Sequence, residues 1–355
     1  RVRVTRSRGI GVVATQGGKA KLTNCLIDEG NPTQVNGPQG MGAFVGPGSA
    51  MTVLRSRLHR NGAAGVKVKG IGATLHIERT AVTSTRTWWT ISKTHGIGLH
   101  GQQGAHITAD GVWLHDNRPI GAVMEMDGDG TLQMQRSAIT GTRRLPDGML
   151  GPGVAAAGKV QVALTQVLLD DNEYHSALFE YGSSATLDRV LIRGNRMGIN
   201  PKDYSSAVAV FSGAQLDLQD VVLWDNADCG LRAADAKVRV AGRRVIVGHT
   251  RNRGLDDVLV APSVFIENGA QLWLHKSRIY RSEGAGLLAA GGQTAVRLTA
   301  TTIDGTQPLR SNGDFGLALV AQMGAQVALH GVRVTANHGA AVVADQAQTR
   351  VVAHG

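Results

Sequence analysis

Aromatic residues are scarce in this sequence, 4% of 355 positions, which leaves too few rings for the rows of stacked bases a single-strand nucleic-acid binder needs. The 2 cysteines, Cys25 and Cys229, are too few for a disulfide framework, and they say little about redox compartment. No apolar run approaches the roughly 20 residues of a membrane-spanning helix, and no secretory signal opens the chain. Acidic residues fall short of basic ones, 27 against 37, leaving a formal charge of +10 that suits an anionic partner. What the chain has in quantity is small and aliphatic residues, with 42% hydrophobic positions and 47 glycines.

These residues are arranged with a period. An apolar pattern Φ-x-Φ-x-x-x-x-Φ recurs with anchors at Ile27, Leu58, Val82, Leu114, Ile139, Leu169, Ile192, Leu223, Val247, Ile279, Ile303 and Val334. By subtraction the anchors are 31, 24, 32, 25, 30, 23, 31, 24, 32, 24 and 31 residues apart, a plain unit alternating with one that carries an insertion. The Leu216 and Leu218 pair before Leu223 alternates with polar Gln215, Asp217 and Gln219, the period-2 signature of a strand with one buried face. The rung at Val247 is ambiguous, because Val238 and Val240 also fit an anchor at Val245. Short strands that cannot bury their own apolar face, repeated at a fixed period, predict an all-β solenoid of stacked parallel rungs. No helical 3.6-period stretch of useful length interrupts the series, so a βαβ sheet is disfavoured.

Three residues past each anchor lies a turn position. In plain rungs it is Asn61, Asn117, Asn172, Asn226, Ser282 and Asn337; in long rungs it is Gly30, Thr85, Thr142, Asn195, Thr250 and Thr306. Stacked at about 4.8 Å per rung, these residues are expected to form a turn ladder. The Asn amides would bond to their own kind, at corners whose left-handed backbone Asn tolerates. Leu58-His59-Arg60-Asn61-Gly62-Ala63-Ala64-Gly65 and Leu223-Trp224-Asp225-Asn226-Ala227-Asp228-Cys229-Gly230 resemble the L-x-x-N-x-A-x-x-G rungs of right-handed parallel β-helix proteins, the pectate-lyase-like group. That resemblance covers essentially the whole chain and implies handedness and fold. It matches no specific enzyme family, and the group hosts lyases, hydrolases, tailspikes and surface proteins.

The expected architecture is therefore a single-stranded parallel β-helix of about 12 rungs at about 4.8 Å each, with an inserted loop on every second rung. Residues 1–355 are read as one continuous domain, because no linker or low-complexity tract breaks the repeat. Neither end has the polar cap a solenoid needs, so the sequence reads as an excerpt of a longer protein, and open terminal rungs would allow end-to-end self-association. In this arrangement Cys25 and Cys229 lie on the order of 30 Å apart, beyond disulfide reach.

The insertions, Asn31–Met41, Arg86–His95, Arg143–Gly153, Arg196–Ser206, Arg251–Pro262 and Gln307–Asp314, leave the same corner and would form one edge. Four of them begin with arginine, Arg86, Arg143, Arg196 and Arg251, and Lys93, Arg144, Lys202, Arg253 and Arg310 lie nearby. Such a stripe fits an extended polyanion, an acidic polysaccharide before nucleic acid, or a protein partner. The competing reading, that each arginine pins its own loop, is the stronger on general grounds. Trp88 and Trp89 stand together in one insertion and suit a sugar face, or else a plug beneath the loop.

No complete catalytic motif is present. Asp170-Asp171 are adjacent in a turn, Asp256-Asp257 sit beside Arg251 and Arg253, and Asp127-Gly128-Asp129 lacks the rest of a calcium loop. The histidines show no zinc spacing, so neither metal nor cofactor is expected. These observations point to a noncatalytic, extracellular or cell-surface β-helix with an adhesin-like or scaffold role, whose inserted-loop edge is read as a surface for carbohydrate or another anionic polymer. The alternative is a polysaccharide lyase or glycoside hydrolase, which would require Asp256, Asp257, Arg251 and Arg310 to converge.

Overall fold

The computed structural model describes residues 2–7, 9–30, 40–86, 96–125, 128–144, 151–196, 205–251, 262–310, 313 and 315–355. Among these residues there is no helix, and the strands form three parallel sheets of 13 strands each. The chain is a parallel β-helix. Each rung contributes one strand in turn to the first sheet (Arg3–Thr5 through Arg333–Thr335), the second (Ile10–Ala14 through Val342–Asp345) and the third (Lys19–Thr23 through Arg350–His354). Two compact units divide the chain, residues 1–173 and 174–355.

The anchors form the middle of the first sheet, in register: in the first unit Ile27 pairs with Leu58, Leu58 with Val82 and Val82 with Leu114. A strand the repeat pattern did not reach adds one rung, because Val4 of Arg3–Thr5 pairs with Ile27. The ambiguity at Val247 resolves in its favour, since Val247 pairs with Leu223 and Ile279. The apolar alternation misleads there because Gly242 occupies an inward strand position. A Cβ on Gly242 would lie 2.6 Å from Leu274 and 2.9 Å from Val245, so neighbouring side chains already fill its space.

The core is aliphatic and continuous in each unit: Ile27, Leu58, Leu75, Ile77, Leu99 and Leu114 are essentially inaccessible in the first, and Leu187, Leu223, Val247, Leu272, Leu298 and Ile303 in the second. Burying one such side chain stabilises the fold by roughly 1.5–3 kcal/mol. Both cysteines are buried free thiols. Burial pushes the Cys229 thiol up to about 12, which leaves it unreactive.

Two corners flank each first-sheet strand, and both are left-handed. The residue two past the anchor has positive φ at Glu29 (57°), Arg60 (52°), Asp116 (51°), Asp171 (56°), Asp225 (53°) and His249 (54°). The residue three before it does too, at Asn24 (55°), Arg55 (48°), Arg79 (46°), Arg136 (46°), Lys276 (49°) and Ala300 (48°). The Asn positions thus follow the left-handed residue and do not themselves adopt that conformation. Each such residue costs about 1–2 kcal/mol relative to right-handed backbone. Hydrogen bonding between rungs offsets this, as where Arg60 N–H reaches Thr83 O (3.0 Å) and Asp116 N–H reaches Thr140 O (3.1 Å).

The Asn side chains complete the corner. Asn117 accepts from Thr85 N–H (3.1 Å) and donates to Val82 O (3.2 Å), and Asn172 does the same to Thr142 N–H (3.1 Å) and Ile139 O (3.1 Å). In the second unit Asn226 bonds Asn195 N–H and Ile192 O, both at 3.2 Å. The amides therefore grip the backbone of the preceding rung instead of one another, and the Thr85, Thr142, Thr250 and Thr306 hydroxyls have no partner among the described residues. Glycine early in the second-sheet strand makes room for this: a Cβ on Gly98 would meet Gly121 O at 2.4 Å and Asn117 Nδ2 at 2.9 Å. A second column, two residues before the anchor, works alike through hydroxyls. Ser56 Oγ accepts from Cys25 N–H (3.0 Å), Thr80 Oγ1 from Ser56 N–H (3.1 Å) and Ser277 Oγ from Val245 N–H (3.1 Å).

Asn172→Ala would strand two buried backbone groups and is expected to lower stability by roughly 2–4 kcal/mol. Urea denaturation checks this, and a loss below half a kilocalorie would remove the Asn column from the account of the fold.

Candidate functional site

The corner after every second first-sheet strand is also where the insertions leave, and many of their residues, including Trp88, Trp89, Lys93, Lys202, Arg253, Asp256 and Asp257, lie outside the described residues, as does Asp127 in a plain rung. The four loop-leading arginines are described. Arg86 pairs with Asp116 (2.9 Å), Arg143 with Asp171 (2.5 Å) and Arg251 with Asp225 (2.7 Å). Arg143 also donates to the Asp171 and Thr142 carbonyls. Each aspartate is the left-handed residue two past a plain-rung anchor, so the repeat itself brings arginine and aspartate to the same edge. Arg196 in the second unit fixes the corner through its carbonyl, which accepts from Tyr174 N–H (2.9 Å).

The next arginines are matched as well. Arg144, almost fully buried, lies 3.1 Å from Glu173, and Arg310 lies 2.7 Å from Glu283. Glu173 and Glu283 occupy the plain-rung position equivalent to the loop-leading arginines. Carboxylates therefore lie among the cations along the edge of each unit, Asp116 beside both Arg86 and Arg118. The Arg86 and Arg118 guanidiniums, with the Ser84 hydroxyl, hold the Asp116 carboxyl below its usual range against the opposing effect of burial. The exposed pairs Arg86–Asp116 and Arg251–Asp225 each contribute about 0–1 kcal/mol. Arg86 and Arg251 side chains remain 54% and 40% exposed, so each keeps guanidinium donors toward solvent while paired.

Elsewhere the titratable groups are saturated or isolated. On the outer face of the second sheet in the first unit, Glu125 lies 3.1 Å from buried His100 and accepts a bond from Gln102. Burial opposes its ionisation, but these contacts and the Lys67 charge hold its carboxyl below the usual range, so it is a poor proton donor near neutral pH. Burial lowers Lys67 in turn. Glu180 is raised by burial alone, with no charged neighbour among the described residues to complete an acid–base pair. Among the described residues no group of three or more metal-binding side chains converges. The convergence a hydrolase or lyase would require at Arg251 and Arg310 involves Asp256 and Asp257, outside the described residues, and both arginines hold other carboxylates.

Two features escaped the sequence. The Trp224 ring lies across Gly248, where a Cβ would meet it at 2.8 Å, and packs near His249 (4.2 Å) and Tyr280 (6.3 Å) on the first sheet of the second unit. Only pairing register brings these residues together. His175 is fully buried; Ser206 N–H donates to its Nδ1 (3.1 Å), and Tyr174 packs beside it. Burial first, then the Arg232 charge, drives the imidazole down to about 3.

No family model matches the sequence, and no curated protein matches it. Two solved structures share the parallel β-helix pattern at low similarity. A TibC-catalysed, hyper-glycosylated TibA fragment has TM-score 0.33 at 11% identity over 99% of this chain and 100% of that one. Pectate lyase Pel9A has TM-score 0.43 at 13% identity over 92% and 78%. Among the described residues no helix is long and apolar enough to cross a membrane.

Because the folded imidazole of His175 is held at about 3 against an ordinary 6.5, the unfolded chain takes up a proton first as pH falls. The stability that neutral His175 preserves is fully present above about 6.5 and is lost toward pH 3, at ~1.4 kcal/mol per pH unit. His175→Asn, which keeps an acceptor for Ser206, should flatten the acid side of a plot of Tm against pH. An unchanged slope would place the acid sensitivity elsewhere.

Proposed function

We propose that this chain is a noncatalytic β-helix scaffold, secreted or displayed on a cell surface, whose inserted-loop edge meets a glycan or another anionic polymer. The observation that carries the reading is the recurrence of arginine at the root of four of the six insertions, Arg86 and Arg143 in one unit and Arg196 and Arg251 in the other. A rigid rung presents each of them at the same corner. The aspartate partners of Arg86 and Arg251 orient those guanidiniums and leave donors toward solvent for a carboxylate or sulfate, the planar bidentate geometry to which arginine is suited. A noncatalytic role is supported by Glu125 and Asp116, whose environments favour ionised, occupied carboxylates instead of a proton-donating one.

The purified chain should bind acidic members of a glycan array in a salt-dependent way, without releasing fragments. The quadruple substitution of Arg86, Arg143, Arg196 and Arg251 by alanine should weaken that binding at least tenfold. Cleavage products would make the protein a lyase or hydrolase; binding unaffected by the quadruple substitution would reduce those arginines to loop anchors.

A further inference from the structure

The outer face of the third sheet in the second unit differs from the loop edge in one respect: its arginines are unpaired. Parallel register sets the middle column of that face as Asp217, Ala241, Trp273, Arg297, Ala328 and Val352. The flanking columns place Arg239 and Arg243 on the strand before Trp273 and Arg350 on the strand at residues 350–354. All four arginines are exposed, and none has a carboxylate partner among the described residues. Asp217 is the one carboxylate lining the openings described next.

Trp273 stands at the centre of this face, 39% exposed. A shallow groove opens on each side of it, because its neighbours are small. One, about 480 Å³, has Ala241 and Gly242 in its lining with Arg243, His275 and Arg297 around it. The other, about 260 Å³, is lined by Ala295, Val296 and Ala328 with Arg297 and Arg350. Such volumes are at or just below the lower part of the range for small-ligand sites, ~300–1,000 Å³. The indole is partly covered by the sheet yet turns 39% of its surface to solvent, and the arginines around it, with no carboxylate partner among the described residues, repel one another. A ligand that offers carboxylates or sulfates beside flat C–H faces would cover the one and neutralise the other.

We propose that this face binds an acidic polysaccharide lying across the strands, with one sugar ring stacked on Trp273 and its neighbours' anionic groups held by Arg297, Arg243 and Arg350. The indole supplies a large rigid contact with an apolar face, and each arginine can grip an anionic group with two parallel N–H donors. A nucleic acid offers the same charges, but one ring provides a single stacking point, whereas strand binders line up several. The ligand class rests on the reading of the protein as a glycan binder, but the surface is separate from the loop edge.

The test is titration calorimetry with oligomers of alginate, heparin, neutral dextran and single-stranded dT, at two salt concentrations. Alginate, heparin or both should bind, dextran much more weakly. Trp273→Ala should weaken binding at least tenfold, and Arg297→Gln should abolish the preference for acidic over neutral chains. Both substitutions are on the surface, and circular dichroism should show the fold unchanged. The loop-edge quadruple alanine variant separates the two surfaces: if it alone loses binding while Trp273→Ala does not, this inference fails and the loop edge stands. If Trp273→Ala alone loses binding, the loop edge fails and this face stands. Absence of binding to either acidic polysaccharide, or dT binding as tight with the same dependence on Trp273, overturns the inference.

Discussion

A parallel solenoid depends on where its backbone donors and acceptors go at the corners. Along the strands each N–H and C=O meets the neighbouring rung, but a turn breaks the ladder, and a buried unpaired group costs about 1–3 kcal/mol. Here the ladder continues around both corners flanking the first sheet by left-handed residues bonded from rung to rung, such as Arg60 to Thr83 and Arg79 to Asp110. The amides this leaves over are met by buried side chains of the next rung: Asn117 for Thr85, Asn172 for Thr142, Ser56 for Cys25. The fold thus spends its polar interior on corners and keeps the space between sheets for aliphatic packing.

The same repeat governs the outside. At the insertion edge it brings arginine and aspartate into pairs, Arg86 with Asp116 and Arg251 with Asp225, so the net positive charge is partly compensated where the sequence concentrates arginine. On the outer face of the third sheet of the second unit no such pairing occurs among the described residues, and Arg243, Arg297 and Arg350 stand around an exposed Trp273. Charge that the scaffold has matched is read as structure with a binding capacity; charge it has left unmatched is read as a surface awaiting an anion.

The strands and their register were legible because apolar alternation and the Asn column repeat at fixed offsets from Ile27, Leu58 and the later anchors. The rung at Val4 was not, since the pattern marks an anchor by apolar residues seven and five positions before it, and Val4 is the fourth residue of the sequence. The left-handed corners were hidden because Arg55, Arg79, Lys276 and Ala300 stand there in place of the Gly or Asn that usually marks them. The hydroxyl column was hidden because Val alternates with Ser and Thr in it, as at Val112, Ser137 and Val245. The loop-leading arginines were found, but not their partners: Asp116 and Asp225 sit on the neighbouring rung, and only register shows that they meet. Trp273 was passed over for the same reason, its arginines being 24 to 77 residues away in the chain and on neighbouring or nearby strands in the fold.

Native-state hydrogen exchange tests the central claim most directly, that corner amides are sealed by side chains of the next rung. The account predicts that Thr85, Thr142 and Thr306 N–H, held by Asn117, Asn172 and Asn337, exchange as slowly as amides in the middle of the strands. Exchange of these amides at the rate of exposed turns, with the strands still protected, would contradict it.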